Sequence, residues 1–294
     1  MRQPSWFGTA ALNLEAMTDR LRRSRRFFLA IVFCCSFPAA GVLHGQEAAP
    51  AVSEAPPAAA VAAQSAATSP TERDVSWRRL PANLLHDQKD LWLFPVQLVH
   101  GRHLLPVASV VGVTTGLLAA DPHDAPYFRR TASFHGFNRA FSGTATALEI
   151  ALVPASFYLA GLVRKDSYAQ KTALLAGEAV ADGMVLTVVM KAVSRRLRPS
   201  DISPQGDFTD TFFRSHKSIF GSSFPSGHTV AAFSVATVYA RRYGNRRWVP
   251  WVAYGIAGVI GFSRVTLQSH FPADVFLGAA LGYSISRFAV LRWR

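Results

Sequence analysis

The sequence predicts an all-α protein, a six-helix bundle integrated in a membrane. Six apolar segments recur along the chain, each broken by a basic or Pro/Gly-rich connection. No alternating strand pattern of useful length lies between them. Half of the 294 residues are hydrophobic, and the mean hydropathy of +0.17 is high for a soluble globular domain.

The first 46 residues read as a signal peptide or anchor. The basic run Arg20–Arg26 precedes an apolar run from Phe27 to about Leu43, with a cleavage point near Gly45-Gln46. Left uncleaved, about 17 apolar residues reach only the lower edge for a spanning helix. Cys34 and Cys35 are adjacent, with no zinc spacing and no small residue where a lipid-attachment motif wants one. Residues 47–70 turn to Ala, Pro, Ser and Val, a composition that cannot bury a core and reads as a disordered linker. Residues 71–103 are more polar, with Trp77, Trp92 and Phe94, and read as an amphipathic lead-in resting at an interface.

The helical domain occupies residues 104–294. Its expected helices run over Leu104–Ala120, Thr144–Val163, Lys171–Met190, Gly227–Ala240, Trp248–Phe262 and Ala273–Val290. They are about 14 to 20 residues long, against the ~20 needed to span a bilayer. Glu149 lies in the second, and Glu178 and Asp182 sit one turn apart in the third. Acids at that depth in a membrane helix face the bundle interior or a cavity, while in a soluble bundle they are satisfied internally.

The formal charge of +13 comes from 31 Lys+Arg against 18 Asp+Glu. With no finger, helix-turn-helix or aromatic-basic signature, it speaks for a membrane surface or an anionic substrate and against nucleic acid. Four arginines in Arg241–Arg247 place that connection in the cytoplasm by the positive-inside rule. Arg164-Lys165 and the tail from Arg287 fall on the same side. Six spans in that orientation put residues before Leu104 inside, whereas an acting export signal puts residues 47–102 outside. The two are compatible only if one apolar segment does not span.

Three stretches carry chemistry. Lys191-Ala-Val-Ser-Arg195-Arg196-Leu-Arg198-Pro199 closes the third helix, and a spacing of seven puts Lys191 and Arg198 on one helical face. Pro225-Ser226-Gly227-His228 opens the fourth. Ser226 is the expected N-cap, Gly227 lets an anion approach the backbone, and His228 lies in the first turn of an anion-binding helix end. Ser263-Arg264 leads to His270 and, four further on, Asp274, which can reach back to the imidazole N–H and fix its tautomer. Each stretch alone fits a solvated charge run, a simple cap or a core histidine.

The three spacings together, K-x6-R-P, P-S-G-H and S-R-x5-H-x3-D, resemble the type 2 phosphatidic acid phosphatase / vanadium haloperoxidase superfamily, over roughly Leu104 to Val290. The resemblance implies a helical bundle and a phosphatase with no metal or other cofactor. It implies His270 as the nucleophile that forms a phosphohistidine, Asp274 as its orienting acid and His228 as the general acid. Lys191, Arg198, Arg264, Ser226 and Gly227 would hold the phosphoryl oxygens. Many members carry an aromatic residue two after the third-stretch arginine. Thr266 stands here, which puts substrate shape rather than chemistry in question.

The expected protein is therefore a phosphatase of the bacterial-type cell envelope, in the inner membrane with its site facing the periplasm. Its partners are the membrane and a phosphorylated lipid: phosphatidate, phosphatidylglycerol phosphate, an undecaprenyl diphosphate or a lipid A phosphate. The alternatives are an exported soluble acid phosphatase, a vanadate-dependent haloperoxidase and a non-enzymatic scaffold.

Overall fold

In the computed structural model, residues 73–131, 133–141, 143–218 and 221–292 are described. The expected leader and linker of residues 1–70 lie outside them. Eight α-helices occur among the described residues: α1 (Leu80–Val99), α2 (Leu104–Arg130), α3 (His135–Ala140), α4 (Gly143–Val163), α5 (Ser167–Ser194), α6 (Gly227–Arg242), α7 (Trp248–Thr266) and α8 (Pro272–Ile285). A 3₁₀ turn (Pro199–Asp201) and a π turn (Ser286–Val290) complete the elements, and no strand is present among these residues.

All six expected segments are helical. Two helices come in addition: the short α3, and α1, which makes the lead-in a full helix. α1 is tied to the bundle through Gln88, whose side-chain amide donates to Asp182 Oδ1 at 2.8 Å, and the turn before it through Trp77, whose indole N–H donates to the Tyr158 hydroxyl at 2.6 Å. Gly101 and His103, at φ of +76° and +59°, turn the chain from α1 into α2.

α2 runs ten residues beyond its expected end at Ala120, through Pro122 and Pro126. Each proline removes a helical donor, so tertiary contacts hold this extension. Asp121 is wholly buried and receives the Ala273 N–H at 3.3 Å. Arg129 donates to the carbonyls of Ser203 at 2.9 Å and Ile202 at 3.0 Å, and to that of Pro199.

The core lies where α5, α6 and α8 meet, around Ala176, Ala179, Val230, Val238 and Ile285, each with under 3 % of its surface exposed. Small residues let these helices pack closely. A Cβ at Gly278 would stand 2.8 Å from the Ser226 carbonyl oxygen, and one at Gly282 only 2.4 Å from that of Val230. Only glycine permits this crossing of α8 over α6, and the crossing sets Asp274 beside Ser226.

Among the described residues, four stretches are long and apolar enough to cross a membrane: Leu104–Arg130, Thr146–Val163, Ser167–Asp201 and Pro272–Val290. On α2 and α4 the apolar side chains point outward, with Leu105, Val111, Leu159 and Val163 all exposed. α6, with 16 residues, is about 24 Å long at 1.5 Å per residue. It is enclosed by α5, α7 and α8 and supplies core, not outer surface.

Candidate active site

α5 brings Lys191 to the site and then stops. Asp166 starts the helix, its carboxylate accepting from the Tyr168 and Ala169 N–H groups at 2.9 and 3.0 Å. Arg195 ends it in the left-handed region at φ +39°. Arg198 is thus off the helix, and the expected two-turn alignment with Lys191 does not exist. The chain leaves the helix because its backbone pairs with the 211–223 segment instead. Leu197 N–H donates to Thr211 O, Ser215 N–H to Arg195 O and Ser223 N–H to Arg196 O, each at 2.8 Å. Lys191 and Arg198 still converge, now on adjacent carbonyls: Lys191 Nζ donates to Ser222 O, and Arg198 Nε to Gly221 O at 3.0 Å.

Ser226 is the N-cap of α6, as its sequence position implies, in extended conformation. Its hydroxyl caps no backbone donor and instead accepts from the Thr229 hydroxyl at 2.8 Å. Gly227 opens the helix, and the half-buried His228 follows in the first turn. The first N–H groups of a helix have no intrahelical acceptor, so this end presents donors to an anion. The Ser226 N–H donates to the Asp274 carbonyl at 3.0 Å, which joins the starts of α6 and α8.

His270 lies in the connection between α7 and α8, buried at 3 % exposure. Its Nδ1 is 2.7 Å from the Ser223 carbonyl oxygen. A carbonyl only accepts, so Nδ1 carries the proton and Nε2 keeps its lone pair. Asp274 Oδ2 stands 3.7 Å from Nδ1, outside hydrogen-bond reach, so the expected direct bond from the acid to the ring is replaced by the Ser223 carbonyl. The Asp274 carboxylate is occupied otherwise. Its Oδ1 accepts from Arg196 at 2.6 Å, and its Oδ2 from the Ser223 hydroxyl and from the Phe271 N–H at 2.9 Å. Pro272 at the first position of α8 leaves that N–H to the side chain of Asp274, the helix's third residue.

Burial pushes the His270 imidazole down to about 4, with the Lys191 and Arg198 charges adding to the depression and Asp274 opposing it. The ring is therefore neutral at ordinary pH, the state in which a histidine attacks. Lys191, Arg198, His270 and Asp274 are close enough for their charges to act on one another. Arg264 is next to His270 in the backbone, its carbonyl accepting the His270 N–H at 3.2 Å. Its guanidinium, though, turns to the α3–α4 junction, donating to Phe141 O and to the Thr146 hydroxyl at 3.1 Å each. Thr266 is buried and pairs reciprocally with Asn138: its hydroxyl donates to Asn138 Oδ1 at 2.6 Å, and the Asn138 amide donates to Thr266 O at 3.1 Å. At the position where the resemblance anticipates an aromatic ring, this chain fastens α3 to the end of α7.

Sequence reasoning assigned no role to Ser223, Arg196 or Asp121. The only signal was that Ser223 precedes the P-S-G-H stretch and Arg196 lies within the basic one. Elsewhere, Asp87, Glu178 and Asp182 bring carboxylate oxygens within 4.8 Å of one another, all buried. Asp182 is nine residues before Lys191, about 13 Å along the helix. This acidic group is separate from the cationic site, and it is the one set of carboxylates among the described residues whose spacing could hold a cation.

Residues 172–294 match the family described as the PAP2 superfamily. A lipid A 1-phosphatase of Porphyromonas gingivalis is 42% identical over 62 residues, 21% of this chain and 14% of that protein. A lipid A 1-phosphatase of Rhizobium etli is 31% identical over 103 residues, 35% of this chain and 42% of that protein. The chain thus spans less than half the length of these relatives. Among solved structures, a transmembrane PAP2-type phosphatidylglycerolphosphate phosphatase from Bacillus subtilis aligns over 70% of this chain and 94% of its own. The identity is 22% and the TM-score 0.37.

Proposed function

We propose, from the premise that residues 172–294 belong to the PAP2 superfamily, that this protein is a membrane phosphatase. It hydrolyses a phosphomonoester or diphosphate on a lipid, through a phosphohistidine. One observation carries the reading: the Ser223 carbonyl holds the His270 Nδ1 proton at 2.7 Å, so the neutral Nε2 is the free nucleophilic atom. The lipid A phosphatases with which the chain shares short stretches act on a phosphorylated lipid, which supports that substrate class.

Nε2 attacks phosphorus, the bond to the leaving oxygen breaks, and His228 supplies that oxygen with its proton. Water, deprotonated by His228, then attacks the phosphohistidine, and the N–P bond breaks to release phosphate. Lys191, Arg198 and the first-turn N–H groups of α6 at Gly227 meet the charge on the phosphoryl oxygens. Ser226 shapes that helix end. Arg264 joins them by turning its guanidinium from Thr146 to the phosphate. Asp274 fixes the surroundings of the ring.

The site faces the periplasmic side. The start of α6 bears Ser226, Gly227 and His228, and Arg241–Arg247, the stretch rich enough in arginine to be retained in the cytoplasm, lies at its other end. The test is phosphate release by purified protein from phosphatidate, phosphatidylglycerol phosphate, undecaprenyl diphosphate and lipid A. The protein as it stands turns over at least one of them and His270→Ala turns over none. Normal release by His270→Ala refutes the reading, as does the absence of release from all four by the unaltered protein.

A further inference from the structure

We propose that Arg196, held between Asp121 and Asp274, is a positioning residue for this reaction. It fixes the Asp274 carboxylate and, through Ser223, the orientation of His270. The inference rests on the phosphohistidine reading above and adds to it two residues, Arg196 and Asp121, that no catalytic spacing contains.

Arg196 is buried, as His270 and Arg264 are, but its guanidinium is committed to protein partners and is not turned toward substrate. Every prong of its guanidinium is engaged: Nη1 with Asp274 Oδ1 at 2.6 Å, Nη2 with Asp121 Oδ2 at 2.7 Å, and Nε with the Thr211 hydroxyl at 3.0 Å. Its plane lies over the rings of Phe271 at 4.0 Å and Phe212 at 4.8 Å. A planar fork meets two carboxylates at once, which a lysine ammonium on a flexible stem does not do. The basic stretch holds three arginines, and this one alone is wholly internal. Arg195 is exposed and Arg198 half-buried.

The chain of contacts then runs inward without a gap. Asp274 Oδ2 accepts from the Ser223 hydroxyl, and the Ser223 carbonyl accepts the His270 Nδ1 proton. The nucleophile is thus oriented by one residue whose other polar group is held by Asp274, which is held by Arg196. At the outer end Asp121 also accepts the Ala273 N–H at 3.3 Å, so the same carboxylate pins Arg196 and the first turn of α8. The charged and titratable groups facing Asp274 are Arg196, His270, Asp121 and Lys191. Two acids and one arginine leave one net negative charge, against which the Lys191 ammonium is set. A buried acid stripped of its ion-pair partner is strongly unfavourable, so loss of Arg196 displaces both carboxylates.

Double-mutant cycles test this in detergent-purified protein, by phosphate release from the same four lipids. Arg196→Met, Asp274→Asn and their combination form one cycle; the isosteric Asp121→Asn, Asp274→Asn and their combination form a second. Misplacing a nucleophile by an ångström costs about 10²-fold, so Arg196→Met lowers kcat by roughly that factor with KM held within about twofold. Because Arg196 acts only through Asp274, in the Asp274→Asn background the same change costs less than about twofold more. Asp121→Asn gives the same pattern with a smaller loss, and it decides the matter if Arg196→Met lacks a cooperative thermal transition. A rise in KM at constant kcat, or losses that multiply in full in the folded cycle, overturns the inference. Such multiplying losses with an inactive His270→Ala leave the phosphohistidine reading standing; an active His270→Ala removes both.

Discussion

Gly282→Ala puts the crossing of α8 over α6 to the test with a single methyl group. The added Cβ would stand 2.4 Å from the Val230 carbonyl oxygen and 3.0 Å from both Phe233 Cβ and Ser234 N. Carbon and carbonyl oxygen rest at about 3.3 Å in close helix contacts, so the two helices must part by nearly 1 Å. The opposing atom is backbone and cannot rotate away. The cost therefore falls at the upper end of the overpacking range, about 3 kcal/mol. For a domain of this size that lowers Tm by roughly 6–12 °C. Thermal unfolding in detergent, followed by tryptophan fluorescence, reads it directly. Gly255→Ala and Gly258→Ala on α7 are the internal controls, since nothing lies within 4 Å of a Cβ at either. In a helix interior, alanine there is neutral or stabilising by about 0.5–1 kcal/mol. If Gly282→Ala melts together with those controls, the close crossing is wrong, and with it the spacing between Ser226 and Asp274.

Two further outcomes follow from the same geometry. The His270 imidazole is lowered from 6.5 to about 4 by burial, so the unfolded chain binds the extra proton between those values. Its contribution to stability is whole above pH 6.5 and is lost as pH falls toward 4, up to about 3 kcal/mol in all. Melting curves of the unaltered protein and of His270→Gln diverge across that window, and parallel curves refute the burial of a neutral ring. Asp166→Ala removes the carboxylate that accepts from Tyr168 and Ala169 at the start of α5, and loss of such a cap costs about 1 kcal/mol. A Tm unchanged against Ser167→Ala as a neighbouring control rejects the cap.

The helices were legible because their signals are local. Apolar runs bounded by Gly-His, Arg-Arg and Phe-Pro mark α6 and the start of α8 within a residue or two of where they lie. The convergence of Lys191, Arg198, His270 and Asp274 was an expectation of the family resemblance; what spacing alone offered, a shared helical face for Lys191 and Arg198, did not form. A left-handed residue such as Arg195 leaves no trace in a basic run, so a helical face looked continuous where the chain had turned off. The continuation of α2 past Pro122 was hidden for a related reason. What holds it is a carboxylate paired with an arginine 75 residues away and an amide 152 away. Arg196 was indistinguishable from its neighbours, since nothing short of the packed core tells which of three arginines points inward. Ser223 acts partly through its carbonyl, a group every residue carries.

Asp121 lies well ahead of residue 172, where the likeness to the family begins. The border that sequence comparison draws is therefore not a seam in the molecule. A chimera joining residues 172–294 to the front half of a protein with the same family match would inherit Arg196 with one of its two carboxylates missing, unless the donor offered an acid at the same place. Interchange of halves between such proteins is constrained by this one ion pair, and a graft that keeps it has to carry α2 along with the stretches that bear Lys191, His228 and His270.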